Sequence, residues 1–495
     1  MSERRPGSAT TTGGPDVVRL LLVASVSLIT LVAFENLAVT TVMPSVAADL
    51  DGLRLYAVAS GAPLAAQLVA TAVGGAWSDA RGPRGPLIGG VLLFCAGLVV
   101  AGLAPGMAVL AAGRAVQGFG GGLLIVPLYV LVGSMVPAPR QPRFFAAFAV
   151  AWVFPGLVGP GIAGFVAQEW TWRWVFLAVP VLTLGASVVL LPLLRHLPGP
   201  PDRPDEGRPR ARRLVLAATG AGLAAAALQV AGAEGGATGL FLAVAGVAVL
   251  VLTLPVLLPA GTVRLRAGVP SAVATRGLLN TTFLSAETFL PLLLVREHGW
   301  SVAQAGLVLT VASVTWATGS WIQGRVSDEE LRRRLLWVGP LTLALGTLVT
   351  AGATVEGAPG WLVVVGWTIA GGGMGLVFPA VSVLVLQRTP AYRHGRISSS
   401  LQVADALGAA LGLAASGGLF IALVGRGGTL AYLAGLLLAV VVALLATLAG
   451  ARAGQRGEDE TGDPPGGSAA RAADGADVPA DGADVPADGA PLQGG

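Results

Sequence analysis

Long apolar runs separated by short polar segments make up most of the chain. Fourteen of these runs have about 20 residues, which is the length that a helix needs to cross a bilayer. Their centres lie near residues 31, 67, 95, 121, 156, 184, 222, 248, 284, 312, 345, 374, 410 and 439. The pattern therefore predicts an all-α integral membrane protein with fourteen transmembrane helices.

The distribution of arginine orients these spans. Short basic loops stay on the cytoplasmic side of a membrane, and the arginines fall mainly in every second loop, beginning with Arg81 and Arg84. We therefore expect a multi-pass protein of the inner membrane of a bacterial cell, with both termini in the cytoplasm. The first span is too long for a signal-peptide core and contains Glu35, so we expect no cleaved signal.

Composition agrees with a membrane protein and excludes other classes. Of the 495 residues, 54% are hydrophobic and only 12% are charged, too few for the surface of a water-soluble protein. The net charge is +4, and the positive charge is distributed over the membrane loops, unlike the clustered basic face of a nucleic-acid-binding protein. The one cysteine, Cys95, excludes an intramolecular disulfide and a cysteine-based metal cluster. No pair of histidines has metal-ligand spacing, so we expect no metal and no cofactor.

The chain also repeats itself. A shift of 253 residues relates a glycine pattern, a proline and two arginines of the first half to counterparts in the second. The pairs are Gly113 and Gly366, Gly118 and Gly371, Gly120 and Gly373, Gly122 and Gly375, Pro137 and Pro390, Arg140 and Arg393, Arg143 and Arg396, Gly159 and Gly412, and Gly164 and Gly417. Parallel repeats of this kind build alternating-access transporters, with the substrate between the two halves.

The repeat and the polar segments define the predicted domains. Residues 196–213 are rich in Pro and Arg and are predicted to be a cytoplasmic linker, and the small, acidic and Pro-rich end of the chain is predicted to be disordered. The predicted segments are an N-terminal cytoplasmic segment at 1–17, a six-helix bundle at 18–195, the linker at 196–213, two inserted helices at 214–260, a second six-helix bundle at 261–450 and the tail at 451–495.

A polar turn joins the second span to the third. It contains Gly75, Asp79, Arg81, Gly82 and Arg84, and Asp79 is placed to accept hydrogen bonds from either arginine or from the N-terminus of another helix. The turn resembles the signature loop of the major facilitator superfamily, which implies a gating role for these five residues. The alternative is a simple topological anchor.

Three further motifs carry the same resemblance. Arg114, followed by glycines at 118, 120 and 122, resembles the fourth-helix motif of proton-coupled facilitators. Gly159, Pro160 and Gly164, in the fifth span, resemble the motif that marks antiporters within the superfamily; ordinary packing glycines are the alternative. The segment from Phe34 to Pro44 resembles the first-helix motif of the fourteen-helix drug:proton antiporter family, which the two inserted spans also match.

Three acids lie inside apolar runs: Glu35, Glu287 and Asp405. Ionisable groups at such depths are costly and mark ion or substrate pathways. At about 1.5 Å per residue, Glu35 and Arg114 lie at similar depths, which predicts an ion pair between them. Counted from Arg276, taken as the start of the ninth span, Glu287 lies roughly 16 Å deep, near the midplane. We predict that these acids and Arg114 couple transport to protons, structural ion pairs being the alternative.

Several neutral side chains inside the spans are candidates for contacting a substrate, although each could instead form a helix–helix hydrogen bond. They are Gln67, Gln117, Asn280, Trp316 and Gln402.

The resemblance implies a proton-coupled exporter of lipophilic, often cationic, drugs or secondary metabolites, built on the major facilitator fold. Its expected partners are a small-molecule substrate, protons and the lipid bilayer, with no nucleic acid, and we expect a monomer. No phosphate-binding loop or nucleophile elbow points to an enzyme. The main alternative is an importer or symporter of a small metabolite on the same fold; a membrane receptor without transport is a more distant one.

Overall fold

The computed structural model describes residues 15–136, 141–189, 208–390, 394–427 and 429–455. The predicted tail beyond residue 455, and most of the predicted N-terminal segment and linker, lie outside these ranges. Within the ranges, fifteen α-helices make up the regular structure apart from one short 3-10 turn. They are α1 Pro15–Asp49, α2 Tyr56–Arg81, α3 Arg84–Gly102, α4 Met107–Met135, α5 Gln141–Glu169, α6 Arg173–Val188, α7 Arg208–Glu234, α8 Gly236–Leu257, α9 Val269–Glu287, α10 Leu290–Glu297, α11 Val302–Gln323, α12 Glu329–Gly352, α13 Trp361–Gln387, α14 His394–Val424 and α15 Leu430–Ala453.

These helices confirm the predicted all-α membrane fold. Thirteen apolar segments of the described chain are long enough to cross a membrane, and α9 and α10 together form one of them. The helix α6 is shorter, with 16 residues, and supplies the remaining predicted span. Each predicted span centre therefore falls on one helix or on the α9–α10 pair.

The predicted start of the ninth span at Arg276 was wrong. The helix α9 begins at Val269, with Gly268 in a positive-φ conformation before it and Pro270 in its first turn, as is typical of a helix start. Arg276 is therefore two turns inside the helix, and its charge is tolerated there because an acid pairs with it. Counted from Val269, Glu287 lies about 27 Å along the span, deeper than the sequence-based estimate.

The same span is interrupted immediately after Glu287. Pro291 has no backbone N–H and cannot donate to the carbonyl four residues before it, so the helix ends and a new one starts at Leu290. The carbonyl of Thr288 lies in this break between the two helices. The break also places Glu287 at the C-terminal end of α9.

Glycines set the helix packing in the same way in both halves, which we define as α1–α6 and α9–α15. In the first half, Gly118 and Gly122 face α2, while Gly113 and Gly120 face α3. In the second half, their counterparts Gly371 and Gly375 face α11, while Gly366 and Gly373 face α12. The repeat in the sequence is thus a repeat of backbone contacts, because a side chain at these positions would meet the main chain of the next helix.

The inserted helices α7 and α8 pack beside the seam between the halves. The helix α7 contacts both α2 and α14. A Cβ at Gly222 would lie 2.8 Å from the carbonyl oxygen of Ala65 on α2, and one at Gly232 would lie 2.5 Å from the Cα of Gly418 on α14. Arg54 donates from Nε to the carbonyl of Ala233 at 2.6 Å, at the end of α7. A helix C-terminus favours such a cation.

The halves meet directly through α5 and α11 and through α2 and α14. We call the end of the bundle where α1 ends and α2 begins the α1–α2 end, and the opposite one the α2–α3 end. Between the middle of the helices and the α1–α2 end, Gly164 packs on Ala303, Gly306 packs on Pro160, and Gly417 packs on Ala57.

We expect Gly164→Ala to loosen the contact between the halves. Its Cβ would lie 2.6 Å from the Cα of Ala303, so α5 and α11 would have to separate, and overpacking of this kind costs about 1–3 kcal/mol. Thermal unfolding of the purified protein in detergent should show a lower midpoint. The matched control is Gly161→Ala on the same helix, where nothing lies within 4 Å. Equal midpoints for the two variants would contradict the prediction.

Candidate functional site

Glu35 on α1 forms a closed polar group with two side chains of α4. Arg114 donates from Nη1 to Glu35 Oε1 and to Gln117 Oε1 at 2.9 Å. Gln117 completes the group by donating from Nε2 to Glu35 Oε2 at 2.7 Å. The ion pair predicted from the depths of Glu35 and Arg114 is therefore present. We call these three residues the Glu35 triad.

The Glu35 triad is closed to solvent. Glu35 is wholly buried, and Arg114 and Gln117 are only 3% and 2% exposed. A buried charge is stable only when it is paired and hydrogen-bonded, and the pair and the Gln117 amide provide this. Gln117, a predicted substrate contact, is held inside the triad here. The Nε of Arg114 has no hydrogen-bond partner among the described residues.

A second polar group lies in the other half of the molecule. Arg276 on α9 donates from Nε to Asp405 Oδ1 on α14 at 2.8 Å. Asn280, one turn after Arg276, donates from Nδ2 to the same oxygen at 2.7 Å. The second nitrogen of the guanidinium, Nη1, reaches the hydroxyl of Ser382 on α13 at 2.7 Å. We call these four residues the Asp405 cluster.

Sequence reasoning missed Arg276 and Ser382 as members of a site. The sequence predicts Arg276 as the first residue of the ninth span, because a basic residue at the edge of an apolar run usually marks a membrane boundary. The signal that could have corrected this lies just before it. Gly268 and Pro270 mark a helix start, and the hydroxyls of Ser271 and Thr275 bond to carbonyls five and four residues before them.

Glu287 differs from the other two acids. It is 7% exposed, and within the ranges that the structure describes no side chain or backbone N–H bonds to its carboxylate. It also sits at the break between α9 and α10. Glu287 is therefore a nearly buried acid without a partner in the described part of the protein, whereas Glu35 and Asp405 are each paired with an arginine.

Aromatic rings of three helices form a wall next to the Asp405 cluster. Trp316 on α11 is half-buried and contacts Phe283 on α9 and Phe378 on α13, with centroid distances of 5.1 and 5.4 Å. Phe283 also stacks on Trp367 at 4.8 Å. The guanidinium carbon of Arg276 lies 3.2 Å from the centroid of Phe378. Among the predicted substrate contacts, Trp316 and Asn280 thus lie around one polar cluster.

The other predicted contacts lie elsewhere. Gln67 on α2 is half-buried, and its backbone carbonyl accepts a hydrogen bond from the Thr71 hydroxyl at 2.8 Å. Gln402 on α14 is exposed and lies three residues, almost one turn, before Asp405.

The turn at the α2–α3 end contains the predicted gating residues. Gly82 has φ +81°, a left-handed conformation that glycine adopts without strain, and its N–H donates to the carbonyl of Ser78 at 2.9 Å. Asp79, Arg81 and Arg84 are exposed. In the described part of the chain, Asp79 pairs with neither of these two arginines. Gly75 has open space beside it.

The predicted antiporter motif lies where α5 meets α1 and α11. A Cβ at Gly159 would lie 3.4 Å from the ring of Phe34, the residue before Glu35. The carbonyl of Pro160 faces Gly306 on α11, and Gly164 faces Ala303 on the same helix. The motif is therefore part of the contact between the halves.

One further contact crosses between the halves at the α1–α2 end. The buried Tyr56, the first residue of α2, donates its hydroxyl to the carbonyl of Thr288 at 2.9 Å. Thr288 lies in the break between α9 and α10. The ring of Tyr56 packs on Phe289, with centroids 5.5 Å apart. No feature of the sequence alone pointed to this pair.

The chain resembles known proteins in both sequence and structure. A sequence profile of the Major Facilitator Superfamily matches residues 24–286 and 278–476. Among solved structures, a peptide transporter in complex with alafosfalin has a TM-score of 0.65 at 15% identity, covering 89% of this chain and 95% of that one. A D-xylose–proton symporter has a TM-score of 0.63 at 16% identity, covering 87% and 96%. These structures share the fold.

Curated relatives align over most of the chain. A protein of Mycobacterium tuberculosis named as a probable multidrug-efflux transporter is 26% identical over 440 residues, covering 84% of this chain and 90% of the relative. Multidrug resistance protein 3 of Bacillus subtilis is 24% identical over 398 residues, covering 77% and 75%. A probable actinorhodin transporter of Streptomyces coelicolor is 29% identical over 411 residues, covering 78% and 69%.

We expect Glu35→Leu to destabilise the fold by about 3–5 kcal/mol, because it leaves the charge of Arg114 buried without a partner. The double variant Glu35→Leu with Arg114→Leu should recover most of this loss, since it removes both charges. Thermal unfolding of the two single variants and the double variant gives the coupling between the two positions. Additive losses would show that the pair contributes nothing as a pair.

Proposed function

The chain belongs to the major facilitator superfamily, and from this membership we propose that it is a proton-driven exporter of lipophilic, often cationic, small molecules. It is a multi-pass membrane protein. The names of relatives that align with most of the chain support drugs or secondary metabolites as the cargo. We further propose that it acts as a monomer in the inner membrane of a bacterial cell, with both termini in the cytoplasm.

Proton coupling rests above all on Glu287, a nearly buried carboxylate without a partner among the described residues. Binding a proton would neutralise this acid and remove the cost of burying its charge. A proton arriving from outside would therefore favour one arrangement of the halves, and its release inside would favour the other.

The two paired acids extend this scheme. Protonation of Glu35 or Asp405 would weaken the ion pair with Arg114 or Arg276 and free the guanidinium for other contacts. Asp405 is the more accessible of the two, with 17% of its side chain exposed, so we assign proton exchange during the cycle to Asp405 and Glu287. The closed Glu35 triad would respond when the halves move apart.

Alternating access requires the two ends of the bundle to open in turn. We assign the α1–α2 end to the outside, which follows from the basic loops at the opposite end. The contacts of Gly164, Gly306 and Tyr56 would then seal the outer side in this structure. The turn at Gly82, with Asp79 and the arginines, would act at the inner side.

An importer or symporter of a small metabolite is the alternative function. The Gly-Pro run at Gly159 and Pro160 argues against it, because this motif resembles that of antiporters and occurs in the first half only. The position equivalent to Pro160 in the second half is Leu413. Transport in inside-out vesicles distinguishes the two functions. A proton-driven exporter accumulates the drug inside vesicles with an acidic lumen, whereas an importer or symporter does not.

We expect Glu287→Gln to abolish pH-driven uptake of a fluorescent cationic drug into acidified inside-out vesicles, because the variant has no group to protonate. The matched control is Glu297→Gln at the exposed end of the same span, which should transport like the unaltered protein. Full transport by Glu287→Gln would exclude the coupling role. Drug susceptibility of an efflux-deficient host that expresses the chain tests the export function itself.

We expect Tyr56→Phe to favour the outward-open state by about 2- to 12-fold, the effect of losing one hydrogen bond. The distance between spin labels at Asp51 and Arg426, which lie at the α1–α2 end, reports this population. Tyr432→Phe is the control. This tyrosine contacts Phe420, which packs on the same Phe289 as Tyr56 does, but its hydroxyl makes no hydrogen bond within the described chain. An unchanged distance distribution in Tyr56→Phe would remove Tyr56 from the gate.

A further inference from the structure

Within the described ranges, hydrogen bonds reach only one of the two carboxylate oxygens of Asp405. Arg276 and Asn280 both donate to Oδ1, at 2.8 and 2.7 Å, and no group of the described chain donates to Oδ2. The side chain is 17% exposed. The cluster therefore retains an acceptor that a further cation or donor can reach.

The guanidinium of Arg276 itself occupies a cation site. Its carbon lies 3.2 Å from the centroid of Phe378, and a cation over an aromatic face is attracted by the ring. A carboxylate, a hydroxyl and a carbonyl surround it, since Nε contacts Asp405, and Nη1 contacts Ser382 at 2.7 Å and the Phe378 carbonyl at 3.3 Å. An aromatic face beside an acid is the environment that a lipophilic organic cation requires.

The position of this site fits a cargo that is partly apolar. Trp316 packs edge-on against Phe378 and is half-buried, so the aromatic surface continues beyond the guanidinium. The side chain of Arg276 is long and flexible, so its guanidinium can move. The Ser382 hydroxyl and the Phe378 carbonyl can still accept its hydrogen bonds when another cation occupies the ring face and the carboxylate.

We propose that Arg276 holds the place of a cationic cargo, so that a lipophilic cation displaces its guanidinium from Phe378 and Asp405 whereas a neutral molecule of the same size does not. This rests on the proposed export function and deepens it. Arg276 then sets specificity, because every cation must compete with it. The site selects cations whose apolar groups gain enough from the aromatic wall to offset that competition.

The test is equilibrium binding of tetraphenylphosphonium, a lipophilic cation, and of triphenylphosphine oxide, a neutral compound of related shape, to the purified full-length protein. Arg276→Gln should tighten binding of the cation by about 30-fold, the size of a desolvated cation–aromatic contact, and leave binding of the neutral compound unchanged. Asp405→Asn should weaken binding of the cation. If Arg276→Gln weakens cation binding as Asp405→Asn does, Arg276 supports the site and does not occupy it, and the proposal is wrong.

A second measurement needs no variant. Phenylglyoxal modifies accessible arginines, and mass spectrometry locates the modified residues in the unaltered protein. Tetraphenylphosphonium should increase modification of Arg276, while triphenylphosphine oxide should not, and the buried Arg114 serves as the internal control. Stronger protection of Arg276 by the cation would overturn the proposal even if Arg276→Gln does not fold.

The proposal and the export function fail in different ways. If the unaltered protein binds tetraphenylphosphonium and exposes Arg276 but does not move the cation in acidified vesicles, the cation site stands and the export function fails. If vesicles accumulate the cation while Arg276 keeps its protection and Arg276→Gln does not tighten binding, export stands and the proposed competition fails.

Discussion

A polar group inside a bilayer must find its partner within the protein, because the surrounding hydrocarbon offers none. This constraint accounts for most of the specific contacts of the chain. Arg114 is tolerated deep in α4 because Glu35 and Gln117 surround it. The carbonyl of Thr288, in the break of the ninth span, accepts a hydrogen bond from a tyrosine of the other half. Among the described residues, no group pairs with the carboxylate of Glu287, so this acid is an exception to the constraint.

The sequence was sufficient for the fold because the signals for spans are long and strong. Each predicted span centre falls on a helix or on the α9–α10 pair, and loop arginines and apolar length together fix the order of elements. The Glu35–Arg114 pair could also be predicted from the sequence, because both residues lie in uninterrupted helices and a constant rise per residue predicts their depths.

Other parts of the site could not be predicted. The start of α9 could not be located, because it depends on whether Arg276 begins the helix or lies inside it. Arg276 lies inside the helix because it pairs with Asp405, which is 129 residues away in the chain. The bond from Tyr56 to Thr288 depends on how the halves dock. Pairings between distant helices follow from packing, and a single sequence carries no direct record of packing.

The internal repeat preserves the close backbone contacts between helices, but the side-chain chemistry of the two halves differs. The same shift that superimposes the packing glycines carries Arg114 to Trp367. Arg114 forms an ion pair, whereas Trp367 is fully buried and stacks on Phe283. The charged cluster of the second half lies instead on Arg276 and Asp405. The two halves therefore share their close helix contacts and differ in the positions that carry their buried charges.

The position of α7 has a consequence for the surroundings of the transport path. This helix lies against α2 and α14 along one side of the seam, and its buried Gln229 donates to the carbonyl of Ala410 on α14. When the halves tilt, the cleft that widens between α2 and α14 faces a protein surface there instead of acyl chains. Lipid molecules are therefore kept out of that flank, and the two sides of the bundle offer membrane-dissolved molecules unequal routes to the interior.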